Sequence, residues 1–349
     1  MKKAMSFLFA LLMVSSLTAC GQKPAPNASI SGSVTGASGS SGAADSYDIT
    51  MASASATGCV GNLCGEKFVQ LVEDATDGRI KISFYQDATL GTEIDNIQQI
   101  KTGEIQIGVF GDNFGSQMAT GIDPTLIPFI FGSVDDVKAV YSDATLGKAI
   151  ADTVKKNANA YLIGVSNRSP RLLTASKEIK TPGELKGVKL RLPEIKAHVT
   201  VWNSMGAIST VVALPETYSA LQTGVVDAQE NPIDNIFTNK FYEVNKYIMK
   251  TEHLQSLYHW CINADFFDSM SEDDQKILTD CLSEAAEWSN AELEKQDKEY
   301  WEKVTADGTV TVVDVDKNVW RDAAADGINQ ALADMDETAR KYVSDYMGK

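Results

Sequence analysis

At 349 residues, with 47 acidic against 31 basic side chains and a formal net charge of −16, the chain is too negative for a nucleic-acid partner held through its phosphates. Hydrophobic residues make up 44% of it, and a length of this order divides into two domains of ordinary size rather than one core. An acidic surface repels anions, so an anionic ligand would have to be met by locally placed cations.

In chain order, Lys2 and Lys3 give a positive start, and Met5 to Val14 is an apolar run too short to cross a bilayer. Residues 1–19 therefore read as a signal peptide. Leu17-Thr18-Ala19-Cys20 resembles the lipobox at which bacterial lipoproteins are cleaved and diacylated. It implies a lipid anchor on Cys20 and an extracytoplasmic location, in the periplasm or on the outer face of the cell membrane. Loss of the signal removes two lysines and no acid, which takes the charge to about −18. Residues 20–46 are dominated by Ser, Gly, Ala, Asn and Pro and read as a flexible tether. No later stretch is long and apolar enough for a membrane helix.

From Tyr47 the pattern alternates. Tyr47 to Ser53 reads as a strand, Phe68, Leu71, Val72 and Ala75 share a helix face, and Arg79 to Tyr85 reads as a second strand. Ile94, Ile97 and Ile100 stripe the next helix, Gly103 stops it, and Ile105 to Phe110 is a third strand. These units predict a parallel sheet with helices on both faces. A second α/β segment starts near Pro170. Thr181-Pro182-Gly183-Glu184 combines an N-cap, a proline at the first helical position and a capping-box acid, with Gly187 ending the turn. The strand Val188 to Leu192 then carries Arg191 at its carboxyl end, where open α/β sheets bind ligands. Pro215 to Thr223 reads as a short helix and Val225 to Ala228 as the strand after it. Ser271 caps a run striped by Ile277, Leu278, Cys281, Leu282, Ala285 and Trp288. About thirty helical residues would reach some 45 Å, long enough to run along both domains, unless the run breaks into two helices.

Once Cys20 is assigned to lipid, Cys59, Cys64, Cys261 and Cys281 remain. Cys59 with Cys64 could close a local disulfide loop and Cys261 with Cys281 could tie a strand to a helix, or all four could be free buried thiols. A metal site is not expected, because the pairs lack CxxC spacing and the histidines are only His198, His253 and His259.

Six segments then occur in order: Gly78-Arg79-Ile80-Lys81-Ile82, Leu90-Gly91-Thr92-Glu93, Ile127-Pro128-Phe129-Ile130-Phe131, Leu185-Lys186-Gly187-Val188-Lys189-Leu190-Arg191-Leu192-Pro193, Glu216 to Asp227, and Glu230-Asn231-Pro232. Together they resemble the DctP-type substrate-binding proteins of tripartite ATP-independent periplasmic (TRAP) transporters, over roughly residues 47 to 300. The resemblance implies an α/β, two-domain, periplasmic-binding-protein-like clamp with a long helix spanning both domains. One domain would comprise 47–168 plus about 257–296, the other 169–256 plus about 297–349. It implies a small organic acid as ligand and TRAP membrane permease subunits as partners, with transport driven by an ion gradient and no cofactor. A ligand-sensing subunit for a membrane sensor kinase would need the same cleft.

Arg191 stands where the family's carboxylate-binding arginine stands, and its planar fork can offer one carboxylate two parallel charge-assisted hydrogen bonds that Lys cannot reproduce. Arg171, in Ser169-Pro170-Arg171-Leu172, matches a second ligand-facing arginine of the family. Either Arg171 or Arg168, three residues earlier, could occupy the cleft, with Arg168 reading as the solvated charge of the two. Asn231 matches a residue whose amide reaches the ligand, or else caps its turn. Glu93 is either a hydroxyl-binding acid or a favourable charge at a helix N-terminus. Phe131 walls the pocket or packs in the core. Leu214 stands where some relatives have an aromatic residue. His253 reads as a structural hydrogen-bonding group, with Asp227 and Glu230 orienting Arg191 or Asn231. With no GxSxG, HExxH, P-loop or Gly-rich dinucleotide turn, no enzyme is expected.

Overall fold

The computed structural model describes residues 45–348; the expected signal peptide, Cys20 lipidation site and nearly all of the tether lie outside them. The first half builds one sheet from β1 (Tyr47–Ser53), α1 (Val60–Ala75), β2 (Ile80–Tyr85), α2 (Glu93–Thr102) and β3 (Ile107–Phe110). β1 pairs in parallel with both β2 and β3. α2 begins where expected because Thr92 and Asp95 form a reciprocal capping box, and it stops at Gly103, whose φ of 77° suits glycine. Two further helices, α3 (Val134–Ser142) and α4 (Leu146–Ala158), lead to β4 (Ala160–Asn167).

The chain then crosses over into a second sheet through β5 (Leu172–Ala175), β6 (Lys189–Leu192), α5 (Lys196–Ser204), β7 (Ile208–Val211), α6 (Thr217–Gln222), β8 (Ala228–Asn231), α7 (Ile233–Thr238), α8 (Phe241–Val244) and β9 (Tyr247–Met249). It returns to the first sheet as β10 (Leu257–Asn263), followed by α9 (Ala264–Asp268) and the long α10 (Glu272–Thr305). β11 (Thr311–Val313), α11 (Lys317–Ala333) and α12 (Glu337–Met347) complete the chain. The strand orders are β2-β1-β3-β10-β4 and β11-β9-β5-β8-β6-β7.

Four expectations need correction. The first sheet is mixed, because β10 comes back from the other sheet and pairs antiparallel with both β3 and β4. The strand expected at Val225 to Ala228 begins instead at Ala228 and runs through the polar Gln229-Glu230-Asn231, all buried. The C-terminal residues do not stay with the second sheet: α11 packs on α5, but α12 turns back onto α4 and the single 3₁₀ turn Pro124–Leu126 beside the first sheet. The four cysteines are free thiols. Cys59 lies at the N-cap of α1 and Cys64 sits inside it, five residues later, so their side chains diverge around the helix. Cys261 points from β10 into the core shared with α2 and α4, whereas Cys281 joins the core under α1 on the opposite face.

α10 is one unbroken helix of 34 residues, roughly 51 Å long at 1.5 Å per residue. Ser271 caps it by accepting from the Asp274 backbone N–H. Leu278, Cys281, Leu282 and Ala285 bury against the first sheet, while Tyr300 and Val304, roughly eight and nine turns from the helix start, bury in the second-sheet core with Ile233, Ile236 and Phe241.

Candidate binding cleft

Besides the long passage through α10, two short connections run between the sheets: residues 168–171, from β4 to β5, and residues 250–256, from β9 to β10. They are tied to each other by the Arg171 N–H donating to the Leu254 carbonyl at 2.9 Å. Above them opens a cleft of about 810 Å³, counted to its open mouth. Ser55 follows β1, Gly111 to Asn113 follow β3, and Val212 and Asn231 mark the ends of β7 and β8, so the cleft sits at the carboxyl ends of parallel strands from both sheets.

Three guanidinium groups line this cleft, all at least nine-tenths buried. Arg191, on β6, donates its Nε–H to the Val212 carbonyl at 2.8 Å, and among the described residues its two Nη groups make no hydrogen bond and no ion pair. Burial pushes its pKa down to about 10, because no carboxylate is close enough to offset the lost hydration. The group still carries its charge at neutral pH. A buried, charged fork with its tips free in a cavity is a site for an anion, since such a charge is costly unless it is paired.

Arg171 is in the opposite condition. Its Nε–H and Nη2 reach the two carboxylate oxygens of Glu230, Nη2 also donates to the Glu230 carbonyl at 2.8 Å, and Nη1 donates to Asp112 Oδ2 at 2.8 Å. Of its five N–H groups only one, on Nη1, is left for a ligand. Burial alone would raise the Glu230 carboxyl, but the charge of Arg171 outweighs it and, with the hydrogen bond from His253, holds it well below the usual carboxylate range. His253 Nε2 lies 2.9 Å from Glu230 Oε2 and Nδ1 lies 2.9 Å from the Thr251 hydroxyl. The carboxylate can only accept, so Nε2 carries a proton, and burial lowers the His253 pKa, which favours the neutral ring with Nδ1 accepting from the Thr251 hydroxyl. This is the structural role expected of it.

Arg168 is buried to 5% exposure and is not the solvated charge the sequence suggests. Its guanidinium lies over the Tyr258 ring, 4.8 Å from the centroid, with Nη1 at 3.6 Å from Asp112 Oδ2.

Residues 52–334 match the model of the DctP family, described as bacterial extracellular solute-binding protein, family 7. The chain belongs to this family. Among its relatives, a solute-binding protein of Roseobacter denitrificans is 30% identical over 285 residues, 81% of this chain and 85% of the relative. The crystal structure of a TRAP periplasmic solute-binding protein from Roseobacter denitrificans with bound L-galactonate matches at a TM-score of 0.79 and 28% identity, covering 87% of this chain and 100% of that one. One from a Sulfitobacter species with bound β-D-galacturonate matches at 0.77 and 25% identity, covering 86% and 98%. The two-sheet α/β clamp with its long helix is therefore that of a TRAP solute-binding protein.

Against this DctP-family fold, the remaining expected site residues divide. Asn231 lines the cleft, accepting from Asn235 Nδ2 at 3.0 Å and donating to Gln229 Oε1 at 2.7 Å, which leaves one amide N–H to face the cavity. Glu93 also lines it, but both its oxygens are occupied, one by the Gly111 N–H and the other by Asn113 Nδ2 at 2.6 Å. It sits at the first position of α2, so the helix-terminus reading and a place on the cleft wall are both met. Burial raises its pKa. Leu214 is on the wall. Phe131 is not: it packs in the core with its ring 5.1 Å from that of Tyr346 on α12. Asp227 accepts from the Lys189 backbone N–H at 3.1 Å and orients the start of β6 rather than Arg191 itself.

Sequence reasoning missed Asp112, Asn113 and Asn235. Asp112 accepts from Ser256 Oγ at 2.8 Å as well as from Arg171. The signal available was position, since Gly111 to Asn113 directly follow a strand at the sheet's carboxyl edge.

Proposed function

We propose that the chain captures a small organic acid outside the cytoplasm by closing its two lobes over it, anchors the acid's carboxylate on Arg191, and delivers it to the TRAP membrane permease. The observation that carries this reading is the buried Arg191 fork, charged and without an ion-pair partner among the described residues, at a strand tip inside the cleft. Bound sugar acids in two relatives support the same chemistry.

Residues 47–168 with about 257–296 act as one lobe, and 169–256 with about 297–333 as the other, with the hinge at the two tied connections. α12, at 337–347, moves with the first lobe, on which it packs. A ligand bridging Arg191 on β6 and the Ser55, Asn113 side of the cleft favours the closed arrangement, because only that state completes both sets of bonds. The chain acts by binding without turnover and without a cofactor. Cys20 carries the lipid anchor and keeps the clamp at the membrane.

A thermal-shift screen of the mature chain against C4 to C6 aldonates, uronates and dicarboxylates tests the reading. At a concentration 100 times Kd the bound acid should stabilise the fold by about 2.7 kcal/mol. A flat response across every carboxylate, set beside a clear shift with neutral sugars, would contradict it.

A further inference from the structure

Arg168 differs from the other two arginines of the cleft in a way that assigns it a task. Arg171 has both charge and hydrogen bonds satisfied by Glu230 and Asp112. Arg191 lacks both apart from one bond to a carbonyl. Arg168 has its charge balanced and its donors unused. Asp112 Oδ2 lies 3.6 Å from its Nη1, too far for a hydrogen bond but close enough for the charges to offset, and Nε has no partner. Burial by itself would lower its pKa, but Tyr258, followed by the acids Asp234 and Asp112, raises it. Asp234 is itself bound by the Tyr258 hydroxyl at 3.0 Å.

The local backbone is shaped to let this side chain reach the cleft. A Cβ on Gly111 would stand 2.8 Å from Arg168 Nη1, a distance real side chains do not adopt, so glycine at this position admits the guanidinium to the wall beside Glu93. A second carboxylate there would add a negative charge next to Asp112, Glu93 and Asp234. A hydroxyl or carbonyl oxygen would accept the idle N–H groups without doing so.

We infer that Arg168 is a specificity residue that hydrogen-bonds a neutral oxygen of the ligand, a hydroxyl or keto group, so that the cleft selects hydroxy- or oxo-substituted monocarboxylates over dicarboxylates and over unsubstituted acids. This rests on the carboxylate reading of Arg191 and adds the other end of the ligand.

The test is calorimetric titration of the wild-type chain, Arg168→Met and Arg168→Lys with aldonates and uronates of four to six carbons, the unsubstituted acid of each length, and succinate. Wild type should prefer the best hydroxylated acid at least tenfold over its unsubstituted counterpart. Arg168→Met and Arg168→Lys should erase that preference by weakening the hydroxylated acid alone, with the unsubstituted acid within about twofold of wild type. Retention of the full preference in a folded Arg168 variant overturns the inference, and so does a tighter binding of succinate that is lost with Arg168. If no carboxylate of any kind binds wild type, the Arg191 reading falls first and takes this one with it. Independently of any variant, a crystal of wild type with its tightest acid should place a hydroxyl or keto oxygen within 3.2 Å of an Arg168 nitrogen; a ligand carboxylate at that position, or none of its oxygens, would count against it.

Discussion

Glu230 is the most heavily engaged side chain beneath the cleft, gripped by Arg171 and His253 and fully buried. Its folded-state pKa is depressed, so the stability it contributes is present above its unfolded value near 4.5 and is lost as pH falls from there towards the folded value. Wild type should therefore lose denaturation midpoint as the pH drops below about 4.5. Glu230→Gln should be less stable at pH 7, by about 3–5 kcal/mol for a broken buried pair, and its midpoint should fall less steeply in acid; parallel acid limbs in the two proteins would show that Glu230 is not the titrating group. The place of Arg191 near the carboxyl end of a strand and on the cleft wall was legible in the sequence, because a strand motif put it there. The sorting of Arg168 from Arg171 was not. The two are three residues apart on an extended connection, and what separates them is the position of Glu230 and Asp112, 59 residues away from Arg171 on either side. Cys261 was half legible, since alternation along Tyr258-His259-Trp260-Cys261-Ile262 puts it on the face opposite Trp260 and Ile262.

At the scale of elements, periodic stripes and caps located α1, α2, α6 and α10 and the edges of β1, β2, β3 and β6 to within a residue or two. α10 emerged whole because Ser271 caps it and its apolar stripe changes core rather than stopping. β8 was misplaced because its residues are polar: Gln229, Glu230 and Asn231 read as a loop, and they are buried only because arginines and amides from other elements satisfy them. α10 also carries a built-in cost. Asp297, in its last third, is pushed up to about 6 by burial, with the Ser169 hydroxyl, 2.6 Å from both oxygens, only partly compensating. A raised acid pKa means that folding favours the protonated form, so this group lowers stability progressively as pH rises from about 3.8 to 6. Asp297→Asn should raise stability at pH 7 by up to about 3 kcal/mol, and the gain should vanish by pH 4. Chemical denaturation at the two pH values measures it, and equal gains at both would rule out the titration account.

Across the whole molecule, the short connections that join the two sheets carry cleft residues or the groups that hold them: Arg168 and Arg171 line the cleft from one, and His253 and Ser256 on the other bind Glu230 and Asp112. The connections and the cleft wall are thus tied together through Arg171, Glu230, Asp112, His253 and Ser256. The chain's negative surface makes this concentration of positive charge necessary, because long-range attraction for an organic acid is absent. If Arg191 supplies the unpaired charge that holds the carboxylate, calorimetric titration of the tightest organic acid into wild type, Arg191→Ala and Arg191→Lys will show it. Both variants should lose at least a hundredfold in affinity, about 2.7 kcal/mol or more, with Lys recovering little because it cannot form the bidentate fork. Near-wild-type affinity in folded Arg191→Ala would contradict the account.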